Sequence, residues 1–273
     1  MNKQPATKPI RYLSVDGDKP FEVEGDIVEE GLACISVNGK ELATFMCTPV
    51  DLDKLALGFL YNEGIIQTMA DVRQLHISRA TTCVDVWLHD VDLELPSRAI
   101  ITSGCGGGVT FDDLSGRHEA LHSELTAEPL QLADLMQQML QGATSYKKAR
   151  GIHTAALAEG DRILLQVEDV GRHNCLDKLS GAALQAGLST HDRILLSSGR
   201  ISSEMINKAR HLQTPIVCSR TSPTSLSVGL AEAWNMTIVA YLRQKRMRIY
   251  SHPGRVLIEK HVHAGSTIGD MHE

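Results

Sequence analysis

Apolar and polar residues alternate over residues 11–28, which is typical of extended strands with one exposed face. Two short apolar runs follow, Gly31–Val37 and Glu41–Cys47, with Asn38-Gly39 between them. Because both residues of a tight hairpin turn need φ > 0, Asn-Gly at this place predicts a β-hairpin. Residues 1–10 show no such pattern and are expected to form a loose tail.

After Cys47 the apolar period lengthens to that of a helix, which predicts an amphipathic helix over Asp51–Asn62 that ends at Gly64. Two more strands are expected within Val72–His89. Together these elements predict a small α+β domain over residues 1–125.

From Ile152 onwards, apolar runs alternate with segments of helical period. The predicted strands are Arg162–Val167, Asp192–Ser197, Pro215–Ser219 and Met236–Tyr241. The predicted helices are Ala127–Gln141, Asn174–Ala186, Ser202–Leu212 and Pro223–Trp234, the last with Ser222 as its cap. Continuous apolar strands between helices indicate a buried sheet with helices on its faces, so residues 126–273 are predicted to form an α/β layered domain.

Composition narrows the class of protein. Of the 273 residues, 42% are apolar and only 4% are aromatic, so the core is expected to be aliphatic. The net charge of −6 argues against a general nucleic-acid binder. No apolar run approaches the length of about 20 residues that a membrane helix needs, and the N-terminus lacks the apolar stretch of a signal peptide. We therefore expect a cytoplasmic protein without a membrane span.

The six cysteines are scattered and form no C-x-x-C pair. Cys34, Cys47, Cys83 and Cys218 lie in apolar, strand-like runs and are each expected to be small buried side chains. Cys175 is expected to lie on the buried face of its helix and to pack there. In a reducing compartment, disulfides are not expected.

One thiol has different surroundings. Within Ile100–Val109, Cys105 stands among four glycines: Gly104, Gly106, Gly107 and Gly108. Glycine allows unusual backbone conformations and close approach to a ligand, as a cysteine that meets one partner and then another requires. A surface loop that happens to contain a cysteine is the alternative, and the segment alone leaves both open.

Polar segments follow several predicted strands of the second half, namely Glu168–Asn174, Ser197–Glu204 and Ser219–Pro223. Ligands of open α/β sheets bind at the carboxyl ends of strands, near helix N-termini that attract anions. The pairs Gly171-Arg172 and Gly199-Arg200 combine close backbone approach with a planar cation suited to phosphate. A further stretch, Tyr241–Arg255, carries five basic residues and no acid. We predict an anion site at this edge, with a solvated basic surface as the alternative.

Three histidines, His153, His173 and His252, lie beside turns or strand ends. His173-Asn174-Cys175 faintly resembles the H-x-E motif of zinc deaminases, but the glutamate position is Cys175 and no P-C-x-x-C follows. We therefore expect no metal site, and we interpret His153 and His173 as hydrogen-bonding residues of a pocket.

Several longer motifs share one resemblance. They are Val37-Asn38-Gly39, Cys47-Thr48-Pro49-Val50-Asp51-Leu52, Leu55-Ala56-Leu57-Gly58-Phe59-Leu60, Glu63-Gly64-Ile65-Ile66, Glu168-Asp169-Val170-Gly171-Arg172-His173-Asn174, Leu176-Asp177-Lys178, Ser198-Gly199-Arg200, Glu204-Met205 and Tyr250-Ser251-His252-Pro253. With these motifs the chain resembles the FdhD/NarQ family, the formate dehydrogenase accessory sulfurtransferases.

The resemblance implies a homodimer that takes sulfur from a cysteine desulfurase as a cysteine persulfide. It implies delivery of that sulfur to molybdenum (or tungsten) in the bis-pterin guanine dinucleotide cofactor, before insertion into formate dehydrogenase. It also implies that the second domain resembles the cytidine-deaminase fold without its zinc site. The persulfide cysteine of the family falls on Cys105, and its cofactor-binding segment falls on Tyr241-Leu242-Arg243-Gln244-Lys245-Arg246. To that segment we add Gly171, Arg172, His173, Gly199 and Arg200 as candidate cofactor-binding residues.

One position departs from the family pattern. Many members carry a second cysteine three residues after the first, and here that position is Gly108. We expect a single thiol to suffice for sulfur relay. The alternatives are a chaperone that binds the cofactor without sulfur chemistry and a purely structural assembly factor.

Overall fold

The structure is a computed structural model that describes residues 5–78, 82–92, 100–101, 109–110 and 118–258. It begins with a long antiparallel hairpin made of β1 (Thr7–Asp16) and β2 (Lys19–Val28). The expectation of a loose tail up to residue 10 is therefore wrong from Thr7 onwards, because cross-strand pairing with β2 extends β1 to that point.

A four-stranded sheet follows, which we call the N-terminal sheet, with strand order β4-β3-β6-β5. Its elements are β3 (Gly31–Val37), β4 (Lys40–Cys47), α1 (Leu52–Asn62), β5 (Val72–Ile77) and β6 (Val84–Leu88). The predicted hairpin turn is confirmed, since Asn38 has φ of 49° and Gly39 has φ of 79°. The predicted helix is confirmed as α1.

Alternation along β3 shows how this sheet packs. Ala33, Ile35 and Val37 are buried in a core that they share with Phe59 and Leu60 of α1. The residues between them point to the other face, where Leu32 is 59% exposed. The N-terminal sheet thus has one face under α1 and one face toward solvent.

Two short strands flank the predicted persulfide cysteine. They are β7 (Ile100–Ile101) and β8 (Val109–Thr110), and they pair antiparallel through Ile100 and Thr110. Cys105 falls between them and lies outside the described residues.

The rest of the chain builds a six-stranded sheet, which we call the C-terminal sheet, in the order β10-β9-β11-β12-β13-β14. Its strands are β9 (His153–Glu159), β10 (Arg162–Asp169), β11 (Ile194–Ser197), β12 (Ile216–Ser219), β13 (Thr237–Arg243) and β14 (Arg246–Ile249). Its helices are α2 (Pro129–Gly142), α3 (Thr144–Ala149), α4 (Arg172–Gln185), α5 (Ser203–His211) and α6 (Ser225–Ala233). Strands β11, β12 and β13 are parallel, and the other neighbours are antiparallel.

Helices cover both faces of this sheet. Ala155 and Leu157 of β9 lie in the core with α4 and α5, whereas Ala156 and Ala158 lie in the core with α2. The mixed α/β architecture is therefore confirmed. The likeness to the cytidine-deaminase fold and the domain boundary at residue 125 stay predictions.

Some elements differ from the sequence prediction. The sequence prediction did not include three of the observed elements, namely β9, β14 and α3. Helix α6 begins at Ser225 rather than at Pro223, because Thr224 and not Ser222 is its cap: the Thr224 hydroxyl accepts the N–H of Ser227 at 3.3 Å. None of the helices within the described ranges has the length and apolar character needed to cross a membrane.

The two sheets are joined by close packing of α1 against α4. Gly58 and Gly181 face each other there without a side chain between them. A Cβ on Gly58 would fall on the carbonyl oxygen of Asp177, and one on Gly181 would fall on that of Lys54. The two helix backbones therefore approach as closely as glycine allows.

Candidate functional site

The polar segments predicted to converge do meet at one edge of the C-terminal sheet. The N–H of Arg220, after β12, donates to the carbonyl of Ser197 at the end of β11 over 3.3 Å. The guanidinium Nε of Arg243, at the end of β13, donates to the carbonyl of Arg220 over 3.3 Å. These contacts place Arg243 beside Arg220, in the same edge as the turns that carry Arg172 and Arg200. We call the group Arg172, Arg200, Arg220 and Arg243 the cationic edge.

The two Gly-Arg turns are in direct contact. A Cβ on Gly199 would lie 2.8 Å from Cβ of Arg172 and 3.3 Å from Nδ1 of His153. The absence of a side chain at Gly199 therefore lets the β11 turn lie against the β10 turn. His153 also lies 3.3 Å from the hydroxyl of Ser198. Burial, together with the charge of Arg172, lowers the pKa of His153, which favours its neutral form.

The members of the cationic edge differ in exposure. Arg172 is 9% exposed, whereas Arg200 and Arg243 are exposed to solvent. Arg220 is intermediate, and its buried Nε has no hydrogen-bond partner among the described residues. The edge thus combines less exposed guanidinium groups, those of Arg172 and Arg220, with exposed ones that can reach a ligand. This arrangement is suited to phosphate groups.

His173 is placed beneath this edge rather than on it. Its Nε2 lies 3.1 Å from the hydroxyl of Ser202, and its Nδ1 lies 3.4 Å from Glu204. Burial lowers the pKa of His173 to about 3, although the charge of Glu204 acts in the opposite direction. Because both ring nitrogens have partners within the protein, the neutral ring orients the start of α4 and α5 instead of facing a ligand.

A buried carboxylate organises the first turn. Asp169 accepts the N–H of Gly171 at 2.8 Å and the side-chain amide of Asn174 at 2.9 Å. It also forms an ion pair with Lys178 at 2.5 Å. Since the Lys178 ammonium donates to the carbonyl of Thr48 over 3.0 Å, this cluster ties the Gly171-Arg172 turn to the N-terminal sheet. Sequence reasoning did not identify Asp169 or Lys178 as functional.

A second buried cluster lies further along α4. Lys208 of α5 contacts Asp177 at 2.7 Å and Glu204 at 3.1 Å. Burial alone would lower the pKa of Lys208, but these two carboxylates raise it above its ordinary value, so the ammonium stays charged. Asn62 of α1 donates to Asp177 over 2.7 Å, which links this cluster to the helix junction as well.

The predicted segment Tyr241–Arg246 forms the end of β13 and the turn into β14. The guanidinium of Arg248 lies 4.6 Å from the centre of the Tyr241 ring, and Arg243, Gln244, Lys245 and Arg246 are exposed. Leu242 is fully buried, so its side chain packs in the core and does not face a ligand. The basic side chains of the segment extend the cationic edge outward.

The described thiols divide into two groups. Cys47, Cys175 and Cys218 are free and buried, as predicted, and burial raises the pKa of each of them, to about 12 for Cys47. The expectation for Cys34 and Cys83 is wrong. These two are half-buried and form a disulfide, because adjacent strands bring their Cα atoms to 4.5 Å.

The sequence also matches a known family of proteins. The sequence profile of the FdhD/NarQ family matches residues 28–257. The chain belongs to the FdhD/NarQ family. Relatives of this FdhD/NarQ chain include the "Sulfur carrier protein FdhD" of Bacillus subtilis, which is 34% identical over 86% of this chain and 92% of its own. A protein of the same name from Staphylococcus aureus strain Newman is 33% identical over 91% of this chain and 94% of its own.

A solved structure of another protein has a similar fold. The crystal structure of a putative formate dehydrogenase accessory protein from Desulfotalea psychrophila superposes with a TM-score of 0.77 at 24% identity. The match covers 93% of this chain and 100% of the other. It supports the mixed α/β architecture described above.

Within residues 5–78, 82–92 and 118–258, no three His, Cys, Asp or Glu side chains lie close enough to hold an ion.

Proposed function

We propose that this protein is a sulfur carrier that serves formate dehydrogenase. It accepts sulfur from a cysteine desulfurase as a persulfide on Cys105 and transfers it to the molybdenum (or tungsten) bis-pterin guanine dinucleotide cofactor. The names of the relatives, sulfur carrier protein and formate dehydrogenase accessory protein, support the general role.

The observation that carries the assignment to Cys105 is the state of the other thiols. The three described free cysteines are buried, and burial raises the pKa of each of them. A buried thiol of raised pKa supplies little thiolate and is not accessible to a partner protein. Cys34 and Cys83 are bonded to each other. Of the six cysteines, we therefore assign Cys105 as the one that holds a persulfide for transfer to the cofactor.

In the first step, the Cys105 thiolate attacks the terminal sulfur of the desulfurase persulfide. The sulfur–sulfur bond of the donor breaks, and the donor cysteine leaves as a thiolate. In the second step, the sulfur–sulfur bond of the Cys105 persulfide breaks, Cys105 leaves as a thiolate, and the terminal sulfur bonds to the metal of the cofactor. The cofactor is the substrate of this step, and its reduced metal supplies the two electrons that the transferred sulfur takes up. Strands β7 and β8 hold the two ends of the Cys105 segment together for both steps.

The cationic edge binds the phosphate groups of this substrate in the proposal. Arg172 and Arg200, with the turn glycines Gly171 and Gly199, approach the diphosphate. The exposed turn of Tyr241–Arg246 holds the outer part of the dinucleotide through Arg243, Lys245 and Arg246. His173 acts as a positioning residue, since its ring nitrogens bind Ser202 and Glu204. The homodimer and the cytoplasmic location stay predictions.

The experiment that tests the thiol is the mass of the intact protein after incubation with a cysteine desulfurase and cysteine. Wild type is expected to gain one sulfur atom, and Cys105→Ala is expected to gain none. Cys218→Ala is the matched control, because it removes a buried thiol, and it should gain sulfur as wild type does. A sulfur atom that persists in Cys105→Ala would assign the carrier role to another cysteine.

A second candidate function is a chaperone that binds the cofactor and transfers no sulfur. The sequence feature that favours it is Gly108, at the position where the family resemblance implies a second cysteine. The cationic edge needs no thiol to be complete. The chaperone function predicts that Cys105→Ala still matures formate dehydrogenase, whereas Arg243→Ala with Arg246→Ala does not. Loss of maturation in Cys105→Ala, with nucleotide binding intact, would exclude it.

A further inference from the structure

The disulfide between Cys34 and Cys83 lies on the face of the N-terminal sheet that α1 leaves uncovered. Cys34 alternates with the buried residues Ala33 and Ile35 and therefore points away from α1. Strands β3 and β6 run parallel, with Ile35 opposite Val84, so the residues that precede these two are also neighbours. Both cysteines are half-buried, in contrast to the three free thiols.

The chain holds Cys83 in place through the residue before it. Thr82 has φ of 53°, in the left-handed region that a β-branched residue rarely adopts. Its hydroxyl donates to the carbonyl of Leu32, two residues before Cys34 in β3. Because Leu32 is itself 59% exposed, the pair lies beside open solvent and not in a core.

We propose that Cys34 and Cys83 form a second sulfur-handling site, which discharges small persulfides as sulfide. In the reduced protein, the Cys34 thiolate takes the terminal sulfur of a small-molecule persulfide, and the donor leaves as a thiol. The Cys83 thiolate then attacks Sγ of Cys34 and expels hydrogen sulfide. The transferred sulfur is reduced, and the two thiols are oxidised to the disulfide that the structure contains.

The two steps balance in atoms and in electrons. One persulfide and two protein thiols give one thiol, one hydrogen sulfide and one protein disulfide. A small-molecule thiol, in excess, returns the pair to its reduced form by thiol–disulfide exchange. The site therefore needs a thiol as its co-reactant and no metal or bound cofactor.

Proximity explains why this pair discharges sulfur instead of storing it. A persulfide on Cys34 has the second thiol within bonding distance, so the intramolecular attack is far faster than any encounter with a partner protein. Cys105 differs at the level of sequence, since its neighbours for three residues on the C-terminal side are glycines. The two sites thus handle the same sulfur chemistry with opposite results, one by holding the terminal sulfur and the other by releasing it.

The test is a single-turnover reaction in a Cys105→Ala background, which removes the proposed carrier thiol and makes the result independent of the proposed function. The protein is reduced, freed of reductant and mixed with glutathione persulfide. Released sulfide is measured against a protein-free blank, and the disulfide is located by differential alkylation and peptide mapping. We expect one sulfide per protein and a new Cys34–Cys83 bond.

Cys34→Ala and Cys83→Ala, each in the same background, are expected to release at least ten-fold less sulfide in the same time. The remaining thiol should keep one extra sulfur atom by mass. Cys218→Ala is the matched control and should release sulfide as the background protein does. Sulfide release that is unchanged in both single variants would overturn the proposal. So would sulfur uptake by the reduced background protein without formation of the Cys34–Cys83 bond, a result that does not depend on how any variant of the pair folds.

Discussion

The ammonium of Lys178 lies 2.5 Å from Oδ2 of Asp169, and both side chains are almost fully buried. The same ammonium donates to the carbonyl of Thr48, directly after β4. Asp169 in turn accepts the N–H of Gly171, next to Arg172 of the cationic edge. One buried ion pair therefore connects the N-terminal sheet with the turn that we propose to bind phosphate.

Replacing Lys178 by Met should destabilise the protein strongly. The methionine leaves the Asp169 carboxylate buried without its counter-charge, and removal of one partner of a buried ion pair typically costs about 3–5 kcal/mol. The measurement is the free energy of unfolding from urea denaturation. Lys54→Met is the matched control. Lys54 pairs with Asp51 at 3.1 Å on a partly exposed surface, where such pairs contribute about 1 kcal/mol or less. Equal losses in the two variants would contradict this account of the buried cluster.

Gly181→Ala should also destabilise the protein, since the new methyl group meets the backbone of Lys54. The α1 backbone has to move away as a unit, so we expect a loss of about 3 kcal/mol or more in the free energy of unfolding. Gly229→Ala, in α6, is the control because a Cβ there has open space. Better helix propensity should make that variant more stable by up to about 1 kcal/mol. A neutral Gly181→Ala would show that the helix contact is looser than described.

The stability of the protein should depend on pH through His173. Burial lowers the pKa of His173 to about 3 in the folded state, whereas the ordinary value is about 6.5. Between these values the unfolded chain binds a proton that the folded protein does not, so stability rises with pH over this range and falls on acidification. For one proton the slope is about 1.4 kcal/mol per pH unit.

The measurement is urea denaturation at several pH values between 5 and 6.5, for wild type and His173→Gln. In His173→Gln, the increase of the free energy of unfolding with pH should be smaller than in wild type by about 1.4 kcal/mol per pH unit. An unchanged slope in His173→Gln would show that the ring is not buried in its neutral form.

Binding of GDP should depend on the cationic edge. We expect Arg243→Ala to weaken GDP binding about ten-fold, the usual effect of losing one hydrogen bond to a charged group, and to make binding less sensitive to salt. Isothermal titration calorimetry provides the affinities. Arg162→Ala is the control, because this exposed arginine lies at the opposite end of β10 and pairs with Glu159. If both variants bind GDP as wild type does, the edge is not the phosphate site.

The periodic elements of the fold could be predicted from sequence because their signals are local. The Asn38-Gly39 turn and helix α1 depend on residues a few positions apart, and both are confirmed. The convergence of the Gly-Arg turns could be predicted as well, since β10 and β11, which lie on either side of β9, both end at the same edge of the sheet. Short elements with weak periods, such as α3 and β14, could not.

The buried polar contacts depend on residues that are far apart in the chain. Thr48 and Asp169 are 121 positions apart, and Cys34 and Cys83 are 49 apart. Local patterns contain no information about such pairs. Local patterns also do not show whether a side chain of a site segment faces the core or a ligand. Leu242 and His173 lie in the predicted site segments, yet one packs in the core and the other binds Ser202 and Glu204.

The glycine contact between α1 and α4 has a consequence for recombination among relatives. A chimera that takes α1 from one parent and α4 from another keeps this helix contact only when the first parent has glycine at position 58 and the second has glycine at position 181. The hydrogen bond between Asn62 and Asp177 places a second condition on the same exchange. A crossover point between α1 and α4 therefore separates residues that have to match each other across this contact.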